Sequence, residues 1–350
     1  MDLRTRYLGL ELKHPIVASA SSLTRSLDDI CRLADAGASA VVMASVFEEQ
    51  VVAEELREAF LLEEGAETQG EASGYFPERP DDHRGLLDAH LETLRLAAER
   101  AGVPIIASLN GASQQGWVAF ARRLEQAGAS AIELNVYRVP ADPRETGESV
   151  EASYLEIVRA VKAQVHVPVA VKLAPYFSSP GNMALRLVEA GADGIVMFSR
   201  FYEPDIDLQS LTARSDLELS TASEARLPLT WVALLAGRLD AALAAGSGIE
   251  SHEEVVKYLL VGADVVMTAS SLLRHGPEHM GTLVRGLETW MTSRGFGSIG
   301  DLRGRLAVSR RHADPAAFMR AQYYEILSHC WAAPSSTAPA LQARPDHRRL

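Results

Sequence analysis

Lys172 lies in the run VAVKLAP, otherwise built from Val, Ala and Leu, and poses the first chemical question. A lysine late in a buried strand is costly unless it is paired or bound to something. Read functionally, it is a fixed cation for a ligand. Read structurally, it reaches solvent or closes an ion pair. The run IELNVYRVP, Ile132 to Pro140, asks a related question, because Glu133 and Asn135 interrupt a strand that ends in a Tyr-Arg pair. Strand side chains alternate, so Glu133 and Asn135 share one face while Ile132, Leu134 and Val136 take the other. Asn135 is a candidate ligand contact set against a satisfied core amide. Asn110, which ends ASLNG, is one set against a turn residue.

Two late turns suit an anion. AAGSGIES offers Gly246, Ser247 and Gly248, and MTASSLLRHGP offers Ala269, Ser270 and Ser271. Small residues let backbone N–H groups approach a phosphate, and a following helix adds its positive end. Each turn alone is also an ordinary strand-to-helix connection. Other chemistries lack their signatures: there is no HExxH, P-loop or Ser nucleophile elbow, and the ten histidines do not cluster at metal-ligand spacing. No metal site is expected. Asp205 and Asp207, in FYEPDIDL, read as solvated loop acids.

The elements that must position these residues follow from a repeat. A helix ending in an AGA-like turn and then a short apolar strand recurs as LADAGASAVVMAS, LEQAGASAIELNV, LVEAGADGIVMFS and LLVGADVVMTAS. Glycine suits the left-handed residue that ends a helix, and the strand that follows is buried on both faces. HPIVASAS, VPIIASLNG, VPVAVKLAP and LDAALAAGSG bring the strand candidates to eight. Between them lie amphipathic segments, one with Trp117, Phe120, Ala121 and Leu124 on one face, another with Leu155, Val158 and Val165. Eight strands alternating with helices predict an α/β (β/α)8 TIM barrel over residues 1–305, with the site at the carboxyl ends of the strands. A doubly wound sheet is the alternative, but ASASSLTRS is not a dinucleotide turn. Residues 48–84 read as an extended acidic loop or lid. Residues 306–330 read as a last helix packed on the barrel, and 331–350 as a disordered tail.

The net charge of −12 argues against nucleic acid or an anionic membrane as partner. Two cysteines, Cys31 and Cys330, exclude a disulfide framework and any cysteine-ligated cluster within the chain. No run approaches the ~18 apolar residues of a spanning helix. A cytoplasmic protein, active on a small molecule and pairing as a homodimer, is the expectation.

At these residues the chain resembles the dihydroorotate dehydrogenase family of FMN-dependent barrels, and most closely its dihydroorotate dehydrogenase-like branch. The resemblance runs over roughly residues 1–305. VASAS is similar to the family's Ala-Ser-Gly at the first strand, which implies that Ala18 and Ser19 meet the flavin. IELNV and VKLAPYF are similar to its fourth- and fifth-strand motifs, making Asn135 a flavin contact and Lys172 the cation near N1. GSGI and TASSLLRHGP stand at the two phosphate turns, implicating Gly246, Ser247, Gly248, Ala269 and Ser270. Asn110, Ser199 and Ser223 complete the implied cofactor set. The expected activity is FMN-dependent oxidation of a CH–CH group, with an electron acceptor the sequence does not identify.

The departures concern the substrate. Met43 takes the place of a lysine against the flavin, ASGYFPE lacks the asparagines of the substrate loop, and LSTASEARLP replaces a glycine-rich turn. Where the family carries a Cys or Ser base, this chain reads Tyr137-Arg138-Val139-Pro140. Arginine, with a pKa above ~12, is a poor proton acceptor. Tyr137 assisted by Arg138 is one replacement; Arg138 clamping a substrate carboxylate is another. The reading is an FMN oxidoreductase acting on another small, anionic molecule. Dihydroorotate oxidation, a flavin-free lyase or isomerase using Lys172 as a Schiff base, and a non-catalytic flavin-binding protein are the alternatives.

Overall fold

The computed structural model describes residues 1–54, 56–57, 85–200, 204–214, 217–312 and 314–331. Eight parallel strands form one closed barrel: β1 (Ile16–Ala18), β2 (Val41–Val42), β3 (Ile105–Asn110), β4 (Ala131–Asn135), β5 (Val169–Leu173), β6 (Gly194–Met197), β7 (Ala242–Gly246) and β8 (Val265–Thr268). Closure comes from β1, whose Ala18 pairs with Val41 of β2 and whose Val17 pairs with Met267 of β8. β2 is short because the chain bends after it, and Val46–Phe47 resumes pairing with the end of β3. The expected (β/α)8 barrel is the fold observed.

The helices alternate with the strands: α1 (Leu27–Asp35), α2 (Leu86–Arg100), α3 (Gln114–Gln126), α4 (Gly147–Lys162), α5 (Pro180–Glu189), α6 (Arg226–Leu235), α7 (His252–Val261), α8 (Ser270–His275) and α9 (His279–Ser293). The repeated glycines end four of them in the left-handed region, at Gly37, Gly128, Gly191 and Gly262. Trp117, Phe120, Ala121 and Leu124 are all buried on α3, while Val165 packs just beyond the end of α4.

Alternation along each strand splits the apolar residues into two layers. Ile132, Leu134, Val171 and Leu173 point to the helices. Smaller residues such as Ala131, Ala170, Val196 and Ala244 fill the barrel's interior. An antiparallel hairpin, Thr5–Tyr7 with Leu10–Leu12, supplies Tyr7, Leu8 and Leu12 to this inner cluster. A Cβ at Gly194 would lie 2.6 Å from Leu8 Cδ2, so β6 has glycine where the hairpin inserts. Those residues floor the barrel.

The chain divides into Met1–Arg310, which contains the barrel, and a second unit from Arg311 containing α10 (Pro315–Trp331). The first turns of the expected loop, residues 48–54, are helical rather than extended, with Val51 buried and Glu48 accepting from the N–H groups of Ala112 and Ser113. Residues 58–84, with ASGYFPE, and the tail from 332 lie outside the described residues.

Candidate active site

A cavity of about 540 Å³ opens at the carboxyl ends of the strands, and every strand or the loop after it contributes to its wall. That volume is in the range of small-molecule and cofactor sites. Its charged lining is one-sided. Among the described residues the wall carries Arg25, Lys172 and Arg200 and no carboxylate, in a chain of net charge −12.

Lys172 reaches this cavity because β5 sets Ala170 and Lys172 inward while Val171 and Leu173 face the helices. Its Nζ lies 3.3 Å from Glu133 Oε1 and 3.4 Å from Ser19 Oγ. Both readings of the lysine therefore hold together: it closes an ion pair and also faces the cavity. Glu133 is 1% exposed, and its second oxygen finds no partner among the described residues. The Tyr7 hydroxyl in the floor is likewise unpartnered, and its pKa is pushed well up by burial first and then by the charges of Glu133 and Asp264.

At one end of the cavity the backbone is fixed from several sides. Ser247 and Gly248 both have positive φ, 73° and 69°. A Cβ on Gly248 would stand 2.4 Å from the backbone N of Ala225, so this position requires glycine twice over. The Tyr258 hydroxyl, from α7, donates to the carbonyls of Ser247 at 2.8 Å and Gly246 at 3.2 Å. Ser220 binds this end together: its hydroxyl donates to Ser270 Oγ at 2.9 Å and accepts from the Gly248 N–H at 3.3 Å. Ala269 precedes α8 and lines the same wall.

Ser223 is not in this wall. A capping box between Thr221 and Glu224 starts a short 3₁₀ turn there and leaves Ser223 exposed, bonded to Thr221. Ser220, three residues earlier, occupies the wall instead. The pattern LSTASEARLP contains both serines, and only the cap signal Thr-x-x-Glu distinguishes the turn from the residue before it.

The rest of the wall draws on β1 to β4, of which β1 lies beside β8. Ser19, Ser45, Asn110, Asn135 and Tyr137 line it. Ser199, from the end of β6, donates to Asn135 Oδ1 at 3.3 Å. Three expected residues depart. Ala18 faces the helix layer, so Ser19 presents the side chain. Met43 is fully buried in that same layer, and Ala44, Ser45 and Phe47 are the residues of its segment that reach the cavity. Arg138 turns away from Tyr137: its guanidinium binds Glu145 and donates to Ser153 Oγ at 2.7 Å, and it lines a separate pocket of about 300 Å³. Alternation along the extended chain after β4 accounts for that divergence.

The residues present fit a phosphorylated, electron-accepting group such as FMN. They offer a glycine-serine turn, a cation held by Glu133 and Ser19, and a wall with no carboxylate among the described residues. Among the described residues no group of three or more His, Cys, Asp or Glu is placed to hold a metal, and no helix is long and apolar enough to cross a membrane.

Comparison with known proteins agrees. The family model described as dihydroorotate dehydrogenase matches residues 83–291, more than half of the chain. A dihydroorotate dehydrogenase B (NAD(+)) catalytic subunit from Methanothermobacter thermautotrophicus is 26% identical over 314 residues, covering 86% of this chain and 97% of that protein. The protein of the same name from Methanocella arvoryzae is 29% identical over 272 residues, covering 75% and 85%. The NAD-dependent dihydropyrimidine dehydrogenase subunit PreA of Escherichia coli is 24% identical over 325 residues, covering 87% and 76%.

Proposed function

The chain belongs to the dihydroorotate dehydrogenase family, and on that premise we propose that it is an FMN-dependent oxidoreductase removing hydride from a CH–CH bond of a small anionic molecule. The observation that carries this reading is the cavity wall: three cations, no carboxylate among the described residues, and a lysine held by Glu133 and Ser19. FMN bound there supplies the hydride acceptor.

The chain's own residues then divide the work. Gly246, Ser247, Gly248, Ala269 and Ser270 offer backbone N–H groups and hydroxyls to the phosphate. Lys172 would offer its ammonium to the negative charge that reduction of the bound group develops, and Glu133 and Ser19 hold that ammonium in position. Asn135 and Asn110 orient flat polar edges. Tyr137 is the protic side chain of the former base segment that meets the cavity; as its phenolate it would accept the proton as hydride leaves. Arg138, engaged by Glu145 and Ser153, holds the loop that carries Tyr137. The sequence departs from the family's pattern at this base and in the substrate-loop motif, so another substrate is proposed.

The test begins with the purified protein, which should be yellow and release stoichiometric FMN on denaturation. Lys172→Ala should lower the potential of the bound flavin. A colourless protein that takes up no FMN, or a variant with the parent's flavin content and potential, would remove the proposal.

A further inference from the structure

We propose that Arg25 is a specificity-determining residue, the clamp for a carboxylate of the substrate, in the role that the sequence offered to Arg138. The inference rests on reading the cavity as a redox site and adds which group takes the anion.

The three cavity cations are not equivalent. Lys172 is ion-paired with Glu133 at 3.3 Å, and Arg200 with Glu224 at 3.1 Å. Arg25 is exposed, lines the cavity, and has no carboxylate partner among the described residues. Arg138, the sequence candidate, is already paired and lies in the other pocket. A guanidinium presents five donors in a rigid fork that matches a carboxylate in two-point fashion.

Its position within the cavity is also fixed. Arg25 follows Thr24, whose carbonyl accepts from the Ala44 N–H at 3.1 Å, so the β1 loop is tied to the end of β2. His90 of α2 lies close enough for the Arg25 charge to act on it; burial and then that charge push its pKa down to about 4, which keeps the imidazole neutral. No second cation therefore arises there near neutral pH. Ser45 and Tyr137, after β2 and β4, line the same cavity, and Ser247, Gly248, Ser220 and Ser270 line its β7–β8 part. An anion on Arg25 then lies beside the β2 segment of the wall, in the same cavity as Tyr137. Ser21 and Ser22, beside Arg25 in the wall, supply further hydroxyl donors.

The experiment is calorimetric titration of the full-length protein with fumarate, benzoate and orotate, and with their uncharged counterparts fumaramide, benzamide and uracil. The parent should bind at least one carboxylate and reject its uncharged counterpart. Arg25→Gln should weaken that binding about ten- to a hundredfold, the worth of a charge-assisted pair. Arg25→Lys should restore part of it, and Arg95→Gln, at an exposed arginine outside the cavity lining, should stay within about twofold of the parent. A parent that binds none of the carboxylates, or an Arg25→Gln protein that binds them equally well, overturns the clamp. Flavin content, measured on the same samples, separates the two readings. Full flavin with unchanged anion affinity in Arg25→Gln sinks the clamp alone. Protein unable to take up FMN sinks the redox reading, and the titration still decides the clamp.

Discussion

Two parts of the cavity wall are built on opposite plans. In the β7–β8 part, the turn at Ser247 and Gly248 is tied by Tyr258 and Ser220, and one position admits no Cβ. In the β1–β4 part the wall is made of side chains, namely Arg25, Ser45, Asn110 and Tyr137. A wall of backbone can hold one shape of ligand and changes little with sequence. A wall of side chains can be rewritten residue by residue without disturbing the barrel. The difference matches the sequence, which resembles the family at the β7–β8 turns and departs from it after β4.

The first way to break this comparison is at its midpoint. Lys172→Met leaves Glu133 buried and unpaired, which should cost about 3–5 kcal/mol in urea unfolding. The double variant Lys172→Met with Glu133→Gln should recover most of that loss. If the single variant is as stable as the parent, the pair is not what holds the lysine in place.

The side-chain wall comes next. Tyr137→Phe should slow flavin reduction by the true substrate 10²–10⁴-fold, the usual worth of a proton-transfer group. The parent itself should reduce its flavin slowly with dihydroorotate. Rapid reduction by dihydroorotate would show that the side-chain wall has kept its original specificity after all.

At the backbone end, Gly248→Ala should cost about 2–4 kcal/mol, because left-handed backbone and a crowded Cβ add. Flavin should be lost from the folded fraction as well. Ser223→Ala, in the exposed turn, should change neither flavin content nor stability by more than about 0.5 kcal/mol.

The smallest effect concerns pH. His90 has its pKa lowered from 6.5 to about 4 in the folded protein. The unfolded chain therefore binds the extra proton first, and stability should fall as pH drops from about 6.5 towards 4. His90→Gln should flatten that slope between pH 4 and 6.5. An unchanged acid limb would place the imidazole in water.

How much of this was legible depended on whether the signal was periodic. The AGA repeats and apolar strands specified a barrel because each unit repeats the same local physics, and the four glycines adopt the left-handed conformation the repeat requires. Lys172 and Asn135 were legible because a polar residue in an apolar strand is conspicuous. Position beyond a strand's end was not legible. Whether Tyr137 or Arg138 faces the cavity depends on how the chain leaves β4, and Met43 continues the alternation of Val41 and Val42 onto the helix side. Arg25 had no sequence signal, since an arginine in a loop looks solvated until its neighbours are known. Ser220 was hidden by its proximity to Ser223.

The hairpin that floors the barrel has a kinetic consequence. Tyr7, Leu8 and Leu12 fill the amino-terminal end of the lumen, so traffic passes through the rim of loops above. On the proposed redox reading, a donor and an acceptor entering through this rim compete for the same cavity. Each turnover then splits into two half-reactions, and double-reciprocal plots at several acceptor concentrations should run parallel.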